Sequence, residues 1–416
     1  MIASPQLGAR LGAAVREAVP SGVASAMRRA YRLRQVSDVA LIERAEELLA
    51  HQGERVASLL PEGCEPFDAH THLGLDIDGH ALSVADHLAL MDGAGVCGAN
   101  VFALNEPDRE PAYRAPNDRV LRWAAEAPGR LFPFVRLSLD EDPLGEAVRC
   151  LDLGARGIKL HPRAQAFTVD DPRLDAVFAL AHERRVPVLI HAGRGLPPGM
   201  PLQLGHVAER HPDASLILAH AAIVAQAGVG ELARSVENIF FDSSTWTPLD
   251  QLNLMSLVPP EQILWASDIP YGEPLAALNV FVRSARVSGA GDDLLRGMLR
   301  DNALGLLEGR RPATRSAPLA SPEFATSYAR IRATMYMAGA TSLLWLGQPE
   351  HIGYLGMAES ALREEGLDEQ AELVRCAHAV WARWAETIVP GAPPDLVGRG
   401  RVWRLLNQAQ ADTLLA

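Results

Sequence analysis

Apolar residues recur along the chain in two rhythms. Over residues 37–60 they fall at helical spacing (Val39, Leu41, Ile42, Ala45, Leu48, Leu49), and a proline-flanked turn over 61–66 ends the run. From Phe67 the texture changes to short apolar runs separated by amphipathic stretches. The runs predict strands over 67–73, 98–103, 131–137, 157–161, 187–191, 215–220, 239–242 and 263–267. The stretches between them predict helices over 84–94, 117–127, 143–153, 173–184, 202–210, 225–235, 249–257 and 274–288. Eight strands alternating with eight helices within about 220 residues fit an α/β fold, the (β/α)8 or TIM barrel. A further helix over 292–307 closes it. The expected organisation is a helical N-terminal extension (1–64), the barrel (65–310), a polar, proline-bearing linker (311–320) and a helical C-terminal segment (321–416). In that last segment Trp381 and Trp384 sit three apart on one helix face.

Composition narrows the function classes. The chain is 48% hydrophobic and 22% charged, an ordinary globular balance, and its net charge is −12. That charge argues against nucleic acid or an anionic membrane as partner, since both need a basic face. The four cysteines are scattered without CxxC pairing, so no disulfide framework is expected and a reducing, cytoplasmic setting is. No apolar run reaches the roughly 18 residues of a membrane span, and no signal peptide is read at the N-terminus. A small-molecule substrate is the expected partner; a homo-oligomer is left open. Positive charge is written almost wholly as arginine: Lys159 is the single lysine.

The predicted strand ends collect the chemistry. Strand one ends Asp68-Ala69-His70-Thr71-His72, and alternation turns His70 and His72 to the same side. By the same alternation Asp68 faces inward with them, as a candidate support for the histidines. Strand four ends Lys159-Leu160-His161, strand five in His191 and strand six in His220, and Asp268 follows strand eight. The C-terminal rim is where such barrels place their active sites, and imidazoles with a carboxylate are metal ligands.

The ordered set Phe-Asp-Ala-His-Thr-His-Leu-Gly (67–74), Gly-Ile-Lys-Leu-His-Pro (157–162), Val-Leu-Ile-His-Ala-Gly (188–193), Leu-Ala-His-Ala (218–221) and Trp-Ala-Ser-Asp-Ile-Pro-Tyr-Gly (265–272) resembles the amidohydrolase superfamily, closest to its amidohydrolase-related branch of TIM-barrel hydrolases, decarboxylases and lactonases. The resemblance spans about residues 65–310. It implies that His70, His72, His191 and Asp268 hold a divalent metal, usually zinc. It implies that Asp268 also takes a proton from water, and that His220 is an acid–base group or a ligand of a second ion. In dihydroorotase-like members a lysine at the strand-four position is carboxylated and bridges two metals. Arginine cannot form that carbamate, so a lone lysine at 159 suits a role needing a primary amine. Lys159 is then either a bridging metal ligand, giving two ions, or a hydrogen-bond donor to substrate beside one. His161, Arg163, Arg194 and Tyr271 line the rim by position as candidate substrate-binding residues. His161 could equally lock a loop, and Arg194 could sit in solvent.

The function expected is metal-dependent hydrolysis of an amide, lactone or ester. The alternatives are a metal-dependent non-oxidative decarboxylation on the same barrel, and a scaffold that has lost catalysis.

Overall fold

In the computed structural model the chain is described over residues 39–193, 199–244, 247–322, 327–388 and 395–415. Its centre is a sheet of eight parallel strands: β1 (Phe67–Leu75), β3 (Gly98–Ala103), β4 (Leu131–Arg136), β5 (Gly157–Leu160), β6 (Pro187–Ile190), β7 (Ser215–Leu218), β8 (Ile239–Asp242) and β9 (Ile263–Leu264). The short β2 (Ala81–Leu82), which the pattern does not announce, adds antiparallel to the end of β1. The sheet curls closed. The Ala69 N–H donates to the Trp265 carbonyl (3.1 Å), Asp268 N–H to His70 O (2.9 Å) and His72 N–H to Ile269 O (2.9 Å), so β1 meets the chain that follows β9.

Each strand is buried on both faces, which is why it reads as a nearly continuous apolar run. Outward positions such as Val101, Ile158, Leu160, Val188, Leu216 and Phe241 pack under the surrounding helices. Inward positions form a second core from Phe67, Phe102, Phe134, Leu189, Ile217, Phe240 and Leu264, plugged by Leu306 and Leu307 of the helix Asn302–Leu307. Gly157 occupies an inward position because any side chain there would meet the Phe134 ring. The helices start where the sequence supplies caps. Ser83, Asp142 and Thr247 accept backbone N–H groups of Asp86, Gly145 and Asp250, and proline opens the last two of these helices and the helix Pro274–Val287.

The eight strands and eight helices appear where the apolar rhythm places them. The differences are at their ends. The expected strand over 215–220 stops at Leu218, because His220, Ala221 and Ala222 take positive φ and cannot continue a strand. The expected helix over 292–307 is broken into Asp292–Arg296, a π turn at Gly297–Asp301 and Asn302–Leu307.

Beyond residue 327 four helices, Tyr328–Trp345, Tyr354–Glu364, Asp368–Thr387 and Leu396–Leu414, share a core of Leu344, Leu362, Val374, Trp381, Trp403 and Leu406. Ala45 and Leu49 of the helix Val39–Ala50 insert into the same core, so both ends of the described chain pack together. No helix among the described residues is long and apolar enough to cross a membrane.

Two buried histidines make the fold acid-sensitive. His87 is fully buried, and neither of its ring nitrogens has a hydrogen-bond partner among the described residues; burial, aided by Arg130, pushes its pKa down to about 4. His351, wedged against His378 and Trp381, is pushed down to about 3 by burial and then His378. Both stay neutral in the fold while the unfolded chain protonates near pH ~6.5. Stability is therefore full above that pH and falls as the pH drops towards 4, by up to about 1.4 kcal/mol per unit per histidine. Urea melts at pH 7.5 and 5 should show it, and His87→Leu should reduce the difference. An unchanged pH dependence in that variant would contradict the assignment.

Candidate metal centre

Polar chemistry begins one inward step above the apolar plug. Arg136, His191, Asp242 and Asp268 each lie two residues beyond an inward apolar residue (Phe134, Leu189, Phe240 and Ala266), and Lys159 lies two beyond Gly157. Strand β1 departs from this count. Phe67 and Ala69 belong to the plug, yet His70 and His72 face the mouth, because the β1–β3 register shifts between Asp68 and Thr71. That shift alters the expectation for Asp68. Its Oδ1 accepts the backbone N–H groups of His70 (3.2 Å) and Ser267 (3.0 Å) and no imidazole N–H. Asp242 takes the supporting role instead.

His70, His72 and Asp268 converge. His70 Nε2 and His72 Nε2 are 3.2 Å apart, and Asp268 Oδ1 lies 3.1 Å from each. His70 Nδ1 lies 2.7 Å from Asp242 Oδ2, so it carries the proton and leaves Nε2 a lone pair. With Asp268 ionised, these three atoms in mutual contact share at most one proton, that of His72. A cation satisfies all three lone pairs, and these residues form a group with metal-ligating geometry. Asp268 adopts φ 60°, a strained conformation that turns its carboxylate into the mouth.

His191 and His220 stand beside this group. Ser244 Oγ donates to Asp242, so His220 Nδ1 donates to the Ser244 carbonyl (3.1 Å). His220 Nε2 is then the acceptor for His191 Nδ1 (3.1 Å). This relay leaves His191 Nε2 a buried lone pair with no partner among the described residues, the form a metal ligand takes. Gly193 permits the arrangement, since a Cβ there would strike the His220 ring. His220 Nδ1 is also 3.8 Å from Asp268 Oδ2.

Burial favours the ligand form of the histidines and opposes that of Asp268. Burial lowers the pKa of His70, His72, His161, His191 and His220, and Lys159 lowers each further. All five are neutral imidazoles, as metal binding requires. Burial pushes Asp268 well above the usual carboxylate range against the pull of Lys159. Against the cost of burial, the hydrogen bonds from His70 and Ser244 hold Asp242 well below that range. Burial, with Arg136 adding to it, brings the Lys159 ammonium down to about 7. Its Nζ lies 3.4 Å from His70 Nε2 and 4.6 Å from the Phe102 ring centroid.

The remaining candidates surround a cavity of about 530 Å³ over this group. His161 stacks on His191 (centroids 4.1 Å apart), and its Nδ1 accepts the Ala164 N–H, so it faces the cavity and fixes a loop at once. Arg163 is exposed at the rim. Tyr271 donates to Asp76 Oδ2 (2.7 Å) and sets its ring edge-on to His72. Arg194 lies outside the described residues.

The strand pattern assigns no role to several groups of the site. Asp242, which closes β8 beneath the cavity, and Ser244 complete the hydrogen bonding of the histidines. Arg136 was legible only as a strand end. Ala338, Gly339, Ser342 and Trp345 form a roof from the helix Tyr328–Trp345. Arg399, buried in the helix Leu396–Leu414, bonds His80 Nε2 (2.8 Å) and the Pro270 carbonyl, tying the C-terminal helices to the loops beside the centre.

Comparison with known proteins follows the same outline. The amidohydrolase family profile matches residues 67–308. No curated protein sequence matches the chain. Solved structures similar to it include 2,6-dihydroxybenzoate decarboxylase from Rhizobium (17% identity, 58% of this chain and 99% of that one, TM-score 0.48). They also include 5-carboxyvanillate decarboxylase from Sphingomonas paucimobilis (15%, 59% and 99%, TM-score 0.46). A third is the probable 2-pyrone-4,6-dicarboxylic acid hydrolase of Acinetobacter baumannii, with citric acid bound (13%, 59% and 99%, TM-score 0.46). With 67–308 matched, more than half of its length, the chain belongs to the amidohydrolase family, whose members are enzymes that typically use a divalent metal.

Proposed function

We propose that this chain is a metal-dependent hydrolase that uses activated water to cleave an amide, lactone or ester bond of a small molecule. One observation carries the reading: His70 Nε2, His72 Nε2 and Asp268 Oδ1 crowd within 3.2 Å of one another, with at most one proton among them when Asp268 is ionised. His70, His72, His191 and Asp268 would hold the cation, for which zinc suits the imidazole and carboxylate donors. A divalent ion there supplies Lewis acidity, lowering the pKa of water and polarising an acyl oxygen.

This chain's residues do the rest. Asp268 takes the proton of the attacking water and returns it to the leaving group. His220, engaged on both ring nitrogens, orients His191; ligation of a second ion or direct proton transfer would require its Nε2 to be released. Lys159 acts as a free amine that donates to substrate beside a single ion, and a carbamate on it would make the site binuclear. Tyr271 and His161 shape the cavity wall, and Arg163 stands at the entrance.

Metal-assisted decarboxylation is the second reading. The two cations buried at the strand ends, Arg136 and Lys159, favour it because they would seat a carboxylic acid at the centre. The two reactions separate on their products. Hydrolysis incorporates labelled oxygen from water, whereas decarboxylation releases CO2 without it. In either case, exhaustive chelation should remove more than about 99% of activity, and restoring Zn, Mn or Co should recover it. Purified protein with no bound metal, or full activity after chelation, would rule out both.

A further inference from the structure

The turn that follows β9 carries both Asp268 and Tyr271, and its backbone is held from several directions. The Asp268 N–H donates to His70 O (2.9 Å), and His72 N–H donates to Ile269 O (2.9 Å). The Asp268 carbonyl accepts Tyr271 N–H (2.8 Å) and Gly272 N–H (3.0 Å). The Pro270 carbonyl accepts instead from Nη2 of Arg399, in the helix Leu396–Leu414. The same guanidinium donates through Nη1 to His80 Nε2 (2.8 Å), and His80 Nδ1 donates in turn to Asp78 Oδ1 (2.8 Å). The His80 ring lies against Tyr271 (centroids 4.7 Å apart), which also meets His72 edge-on (5.4 Å). Arg399 therefore grips the loop after β1 and the turn after β9 at once.

That grip takes a charge out of water. Arg399 is 2% exposed, and burial brings its pKa down to about 10 against the pull of Tyr271, Asp78 and Asp395. Asp78 stands behind His80 and is half exposed. An apolar side chain of similar length would pack there without the desolvation cost, so stability alone does not account for an arginine. Asp268 supplies a reason for one. Its φ of 60° is a strained conformation, which persists only where the surroundings over-determine it. The restraint comes from beyond residues 67–308, the span of the family match. The helix that carries it is itself anchored to the barrel helix Pro274–Val287: Asn279 Nδ2 donates to Gln408 Oε1 (3.1 Å), and Arg283 Nη2 donates to the Ala411 carbonyl (3.2 Å).

We propose that Arg399 is a positioning residue for the metal centre: by holding the Pro270 carbonyl and His80 together, it keeps the Asp268 turn closed and the Asp268 carboxylate against His70 and His72. The C-terminal helices are then a working part of the site. The inference rests on the metal-dependent reading and extends it to a segment outside the family match.

Titration of the full-length protein with Co2+ tests it, read by competition with a chromophoric chelator and by visible absorption of the bound ion. Arg399→Met, apolar and of similar length, should melt cooperatively. It should lower Co2+ affinity about 10–100-fold and move the absorption towards that of Asp268→Ala. In the Asp268→Ala background His70, His72 and His191 remain to bind the ion, and no carboxylate is left to place. There Arg399→Met should cost less than about twofold. Arg399→Lys, which keeps the charge and loses the fork, should fall between Arg399→Met and the wild type. The proposal is overturned if Arg399→Met binds Co2+ like the wild type, or if its cost is as large with Asp268 removed, which marks a general structural loss. Should Arg399→Met not melt cooperatively, Arg399→Lys carries the same cycle. A wild-type protein that binds no Co2+ overturns the metal-dependent reading and the proposal with it. A wild type that binds the ion beside an indifferent Arg399→Met overturns the positioning role alone.

Discussion

With asparagine in place of Asp268, turnover falls by about 10²–10⁴-fold while the protein folds and keeps its metal. The side chain is isosteric, and its amide oxygen can still approach His70 and His72, which now flank the Asp268 oxygen at 3.1 Å. Asparagine also tolerates the positive φ of 60° found at this position, so the exchange adds no backbone strain. What it removes is a carboxylate able to hold a proton between attack and departure of the leaving group. The prediction is read from kcat alongside metal analysis of the same sample. A wild-type rate at full metal occupancy would exclude Asp268 as the proton carrier.

The second large effect is at Asp242. Its Oδ2 accepts from His70 Nδ1, and its Oδ1 accepts from the His220 backbone N–H (3.0 Å) and from Ser244. In Asp242→Asn the amide can keep the Oδ1 contacts only by pointing its NH2 at His70. That choice forces the His70 proton onto Nε2, the atom facing His72 and Asp268, and a protonated nitrogen cannot ligate. Metal affinity should fall by about 10–100-fold, measured by competition with a chromophoric chelator. Unchanged affinity would show that Asp242 does not set the His70 tautomer. Here Asp268→Asn and Asp242→Asn part company: the first loses rate with metal retained, the second loses metal.

The candidate site was readable in part because a barrel turns linear spacing into position. A residue at the C-terminal end of each strand arrives at the same rim, so His70, His72, Lys159, His191, His220 and Asp268 could be gathered from a one-dimensional pattern. Reading by alternation failed where the backbone breaks it. The register shift between Asp68 and Thr71 moves Asp68 beneath the backbone, and the positive φ at His220 lifts that ring out of strand geometry. Partners far apart in sequence were equally hidden. Nothing local links Asp242 to His70, 172 positions away.

The apolar rhythm and the strand-end polar residues by themselves determined the barrel and which polar side chains gather at its mouth. Both follow from periodicities of two and 3.6 residues that local backbone geometry imposes. Only the tertiary structure decided which nitrogen of each histidine faces inward, because that depends on hydrogen bonds from Asp242 and Ser244 across the barrel. It alone also placed the roof. The helices beyond residue 327 bring Trp345 over the cavity and Arg399 against Pro270 through packing of their own apolar core, and no spacing within the chain encodes where that core docks.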